Sequence, residues 1–77
     1  MLLDDAQIKQ DYQVVGVNYP DEKVLARLYQ LGIVPGEMIK LIRKAPIFKD
    51  PLLFEISGVQ VAITTSMAKN ITIELKQ

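Results

Sequence analysis

With 77 residues, no cysteine and no histidine, the chain has room for one small domain, of a size that buries only about 60% of its unfolded surface. It can form no disulfide, thiolate metal site or imidazole ligand, and nothing in it is an imidazole base or a thiolate nucleophile. A reducing, cytoplasmic setting fits this composition. The formal charge is zero, with Asp4, Asp5, Asp11, Asp21 and Glu22 against Lys9 in residues 1–22, and Lys23, Arg27, Lys40, Arg43, Lys44 and Lys49 against Glu37 in residues 23–49.

The basic half has two readings: ordinary solvated faces that keep a small domain soluble, or a face for an acidic partner centred on Arg43-Lys44, with Lys40 and Lys49. Nucleic acid is a poor partner for a neutral chain with two Phe and three Tyr, because single-strand binders combine positive charge with aromatic platforms. Direct membrane insertion is not expected either. The apolar run Val14–Val17 is far too short to span a bilayer, and the acidic start Met1-Leu2-Leu3-Asp4-Asp5 is unlike a secretory signal, so the whole of 1–77 is expected as the mature domain.

Taken in order, residues 1–10 read as an N-terminal arm, with Leu3 to Gln10 either loose or a frayed turn of helix. Tyr12 to Val17 reads as a first strand, with apolar residues on both faces except at Gln13. Asp21 caps a helix from Glu22 to Leu31, in which Val24, Leu25, Leu28 and Leu31 form one stripe. Gly32 then falls at C′, where a left-handed conformation is accessible, and Leu28 and Ile33 form the hydrophobic pair of a Schellman stop. Val34-Pro35-Gly36-Glu37 is a type II turn, with proline at its second position and glycine at its third. A strand over Glu37–Lys44 follows, then a loop from Ala45 to Pro51. Leu52–Ile56 and Val59–Ile63 are strands joined tightly by Ser57-Gly58. Ser66 is positioned to cap a single helical turn before a final strand, Ile71–Leu75.

Five short strands and one real helix, placed after the first strand, predict a mainly β fold: a small, partly open antiparallel barrel with the helix over one opening. Its expected inward set is Val15, Val17, Leu25, Leu28, Leu31, Ile33, Ile39, Leu41, Phe54, Ile56, Val61, Ile63, Ile71 and Ile73, with Val59 also facing in.

Chemistry is largely excluded. Asp21 and Glu22 are explained by a helix N-terminus and Asp50 by a turn before Pro51. Gly16, Gly32, Gly36 and Gly58 are isolated, so no phosphate-cradling glycine loop exists. Met1, Met38 and Met67 are scattered and read as terminus or core filler rather than soft metal ligands. The chain therefore reads as a non-enzyme with no cofactor and no metal site.

Arg27-Leu28-Tyr29-Gln30-Leu31-Gly32-Ile33-Val34-Pro35-Gly36, followed by a strand, Ala45-Pro46, Asp50-Pro51, the Gly58 hairpin and a final Ile-x-Ile strand, resembles the FeoA family, the small ferrous iron transport protein A of bacteria. The resemblance runs from about Tyr12 to Leu75. Leu28, Leu31, Gly32, Pro35, Gly36, Ala45, Pro46, Asp50 and Pro51 match the family pattern. It implies an SH3-like barrel and a cytosolic accessory that contacts the GTP-dependent ferrous iron permease of the inner membrane and is recruited there by it. Two alternatives are a regulatory peptide-binding module like the C-terminal domain of iron-dependent repressors, and a direct iron carrier, against which the missing His and Cys count.

The chain departs from the family's compact Ala-Pro-x-Gly-Asp-Pro loop: it reads Ala45-Pro46-Ile47-Phe48-Lys49-Asp50-Pro51, longer and without glycine. It also has Thr64-Thr65 where relatives place basic residues. Phe48 either folds back over a barrel mouth or stands out as an apolar anchor rimmed by Lys44 and Lys49. Candidate partner contacts are therefore Lys44, Ile47, Phe48 and Lys49, with Arg27, Tyr29 and, more ambiguously, Leu28 on the helix. An unpaired edge strand offers a further route, to a weak or strand-exchanged homo-oligomer.

Overall fold

The computed structural model describes residues 1–76. Five strands, β1 (Asp11–Val17), β2 (Met38–Lys44), β3 (Leu52–Ile56), β4 (Val59–Ile63) and β5 (Ile71–Leu75), form one sheet in the order β4-β3-β2-β1-β5. Every pairing between them is antiparallel. A helix α1 (Glu22–Gln30) follows β1, and a short α2 (Thr65–Ala68) joins β4 to β5. β4 and β5 are not paired to each other, so the barrel is open, as expected for an SH3-like fold. The register shifts between Leu41 and Arg43 on β2, and between Val14 and Gly16 on β1. Such irregularities increase local twist and bend a strand, and they explain why both strands carry hydrophobes on both faces.

The helix stop forms as the spacing predicts. Asp21 accepts a hydrogen bond from the Lys23 amide at 2.9 Å, capping α1. At the other end Gly32 has φ +92°. The Ile33 amide donates to the Leu28 carbonyl and the Gly32 amide to that of Tyr29, both at 3.0 Å. These are the two bonds of a Schellman motif, and Leu28 and Ile33 are both fully buried. Gly36 has φ +98° and the Glu37 amide closes on the Val34 carbonyl at 3.1 Å, giving the expected turn into β2.

The core corrects the inward set on β1. Tyr12 and Val14 are buried while Val15 is 48% exposed, and Val17 is only half-buried. A one-residue change of phase moves every side chain of a strand to the other face, and valines on both faces left that phase open. Tyr12 tolerates burial because its hydroxyl accepts the Gln7 amide at 2.9 Å. Leu25 and Leu31 are half-buried rather than fully inside, and Val59, beside the hairpin end, is 61% exposed.

The N-terminal arm is not loose. Leu3–Asp5 forms a 3-10 turn, with Leu3 fully buried and Ala6 nearly so. The Met1 carbonyl accepts the Ile73 amide and the Leu41 carbonyl accepts the Lys9 amide, each at 2.8 Å. Leu3 belongs to the core cluster, and the apolar area it buries is what orders the segment. The cap of α2 also differs by two residues: Thr64 accepts the Met67 amide at 3.3 Å, and Ser66 lies inside the helix.

Candidate protein-docking site

The β2–β3 loop carries the most exposed large apolar side chains of the fold. Phe48 is 93% and Ile47 69% exposed, so Phe48 does not fold back over the barrel mouth. Pro46 precedes the pair, and Phe48 and Lys49 both adopt left-handed backbone conformations, φ +62° and +54°, a region non-glycine residues enter uncommonly. The loop base is closed by the Ala45 amide donating to the Pro51 carbonyl at 3.1 Å. Asp50 supports it from below. Its Oδ1 accepts the Thr65 amide at 2.8 Å and the Thr65 hydroxyl at 3.1 Å, so Asp50 ties the loop to the first turn of α2 and is more than a turn residue. Nothing local in the sequence pairs Asp50 with Thr65; the pairing arises where the start of β3 meets the end of β4, with Leu52 opposite Ile63.

Two clefts flank the loop, and Arg43, Ala45 and Pro46 line both, so the tip stands on a ridge. One, of about 760 Å3, separates the loop from the N-terminal segment, with Arg43, Lys44 and Lys49 on one wall and Asp4 and Asp5 on the other. The second, of about 490 Å3, has Leu53 and Ala62 with Pro46 and Pro51 in its lining. Among the described residues the ion pairs are Lys40–Asp11, Lys69–Asp4 and Lys76–Glu74. Arg43, Lys44 and Lys49 thus have no carboxylate within 4.0 Å there, and their charge is available to an acidic partner. Across the cleft Asp4 is committed to Lys69 at 2.7 Å. That hydrogen bond and then the Asp4 charge raise the Lys69 pKa above its ordinary value.

The helix candidates stand apart from this cluster. Arg27 and Tyr29 are exposed on α1 as expected, but the helix ends near the other end of the β2–β3 ribbon, where a Cβ on Gly32 would come within 3.3 Å of the Ile56 side chain. The seven residues of β2, about 20 Å of extended chain, lie between the two groups. Leu28 is corrected: it is fully buried and serves the core, not a partner. Leu31, Gly32, Pro35, Gly36 and Gly58 serve backbone geometry and packing. Gly58 forms, with Ser57, a two-residue hairpin turn with both φ positive, +78° and +51°.

Among the described residues no group of three or more Asp or Glu side chains is placed to hold a metal ion. No helix there is long and apolar enough to cross a membrane. The model for the FeoA domain matches residues 1–75. This chain belongs to the FeoA family.

Solved structures agree. FeoA from Chlorobium tepidum superposes with a TM-score of 0.91 at 27% identity, over all of this chain and 71% of the other. FeoA of Stenotrophomonas maltophilia, solved with zinc and described as a prokaryotic SH3 domain protein, gives 0.83 at 26% identity, over 96% of this chain and 89% of that one. Iron(II) transport protein A of Clostridium thermocellum gives 0.90 at 24% identity; 97% of this chain is covered, but this FeoA domain spans only 45% of that protein. No curated protein sequence matches.

Proposed function

We propose that this FeoA-family chain is a cytosolic accessory of ferrous iron uptake that works by contact, seating its β2–β3 loop on the cytosolic, GTPase-bearing part of the ferrous iron permease. The observation that supports this reading is the ridge itself: Ile47 and Phe48 exposed at its tip, with three cations near its base. An apolar anchor inside a charged rim is how protein interfaces concentrate affinity in a few residues, while the charges steer approach. The contact would recruit the protein to the inner membrane without inserting it. Neither catalysis nor a bound cofactor is needed for this role.

Binding of the purified cytosolic part of the permease, measured by calorimetry, tests it. Ile47→Ser with Phe48→Ser is expected to weaken binding at least about tenfold, and Arg27→Glu, at the opposite end of the ribbon, much less. Binding that survives the double change removes the loop from the interface. Tight Fe(II) binding by the protein alone would favour a carrier instead.

A further inference from the structure

We propose that β4 is a self-association edge, through which two copies of this chain pair β4 to β4 in antiparallel fashion about a two-fold axis at Val61. β4 and β5 are the end strands of the sheet, and their treatment differs. The free side of β5 is covered by the chain's own N-terminus: Leu2 bridges Thr72, and Met1 exchanges hydrogen bonds with Ile73. Among the described residues no isolated bridge of that kind reaches β4. Among the described residues no backbone hydrogen bond joins Gln60 or Ala62 to a segment outside the β3–β4 pair.

The hairpin geometry fixes which groups are free. A two-residue turn at Ser57-Gly58 makes Ile56 and Val59 a hydrogen-bonded pair, and alternation makes Phe54–Val61 and Leu52–Ile63 the next two. The amides and carbonyls of Gln60 and Ala62 therefore point away from β3. Natural edges are blunted by charges, proline or bulges. Val59-Gln60-Val61-Ala62-Ile63 has no charge and no proline, and its register with β3 is unbroken.

The free groups are also self-complementary, which favours a second copy over an unrelated strand. A two-fold axis at Val61 sets Gln60 opposite Ala62 of the second copy, and Ala62 opposite its Gln60. All four residues carry outward-pointing groups, so both pairs become hydrogen-bonded pairs. On the core-facing side the same register brings Val59, 61% exposed, across from Ile63 of the second copy. A single strand pair of this length buries far less than the roughly 1,200 Å2 of a stable complex. The dimer is accordingly reversible and forms at high protein concentration. This inference is independent of what the β2–β3 loop binds.

Sedimentation equilibrium of the full chain from about 20 µM to about 1 mM tests it, a range suited to weak association. The wild type is expected to follow a monomer–dimer equilibrium. Gln60→Lys with Ala62→Lys sets lysine opposite lysine at both pairs and is expected to weaken the dimer at least about fivefold. Gln60→Lys with Ala62→Glu sets opposite charges there and is expected to return it to within about threefold of wild type. Both variants keep the new lysine opposite Glu55, and thermal melts check that each folds. A wild type that stays monomeric throughout would overturn the proposal. So would an equal shift in both double variants, loss of the dimer on Phe48→Ser, or protection of the Gln60 and Ala62 amides from hydrogen exchange only when the permease's cytosolic part is added.

Discussion

Leu28 and Phe48 are both large apolar residues in segments that adjoin opposite ends of β2, and they have opposite fates. At the helix end, Leu28 is fully buried, its carbonyl is capped by Ile33, and Gly32 and Gly36 supply the positive φ values that the stop and the turn require. Leu28, Gly32, Ile33 and Gly36 are each accounted for by packing or backbone geometry. At the loop end Phe48 is 93% exposed, and the chain adopts two consecutive left-handed conformations without glycine to hold it out. Apolar character alone does not separate a core residue from a contact residue. What separates them is whether the local backbone turns the side chain into the barrel, and the family motif does so at Leu28 and not at Phe48.

Stability measurements should divide along the same line. Leu28→Ala is expected to cost about 2–5 kcal/mol, enough to unfold a marginal domain, because it leaves a cavity in the core; denaturant titration checks this. Gly32→Ala should cost about 1–2 kcal/mol, through a left-handed Cβ that would also press on Ile56 at 3.3 Å. Gly36→Ala meets nothing within 4 Å and should show only the backbone part of that loss. Asp50→Ala removes both bonds to Thr65 and should cost about 1 kcal/mol, near the typical worth of a cap. At the loop tip Phe48→Ser should stay within about 0.5 kcal/mol of wild type. A large loss there would erase the contrast between the two ends.

The smallest expected effect is a pH dependence. The Lys69 pKa is raised in the folded state by its hydrogen bond to Asp4. A raised lysine pKa contributes stability that is fully present below its unfolded value of 10.5 and is lost as pH rises through the folded value. Melting temperature should therefore fall slightly more in wild type than in Lys69→Met as pH rises past 10.5. The exposed setting of this lysine keeps the difference small.

What was legible in the sequence is what short-range stereochemistry controls. Leu28, Gly32, Ile33, Pro35 and Gly36 lie within nine residues, and capping and turn rules place each of them. The hairpin at Ser57-Gly58 is local in the same sense. The phase of β1 is not: it depends on pairing with β5 and on the irregularity between Val14 and Gly16. Gln13, the polar residue facing away from Tyr12 and Val14, is the one sign of it in the sequence. The burial of Leu3 and Ala6 likewise depends on contacts with segments such as β5, some seventy positions away, which no window along the chain reveals. At the candidate site the loop's length and its apolar tip were legible. Its exposure and its tie through Asp50 to Thr65 were not, because both follow from how the strand ends come together.

Two measurements on one protein, Ile47→Ser with Phe48→Ser, decide whether the loop tip is a contact: its melting temperature and its affinity for the cytosolic part of the ferrous iron permease. The melting temperature is expected close to wild type, since neither side chain lies in the core, and binding is expected to weaken at least about tenfold. Unchanged binding by the folded variant would show that the loop tip is not the contact.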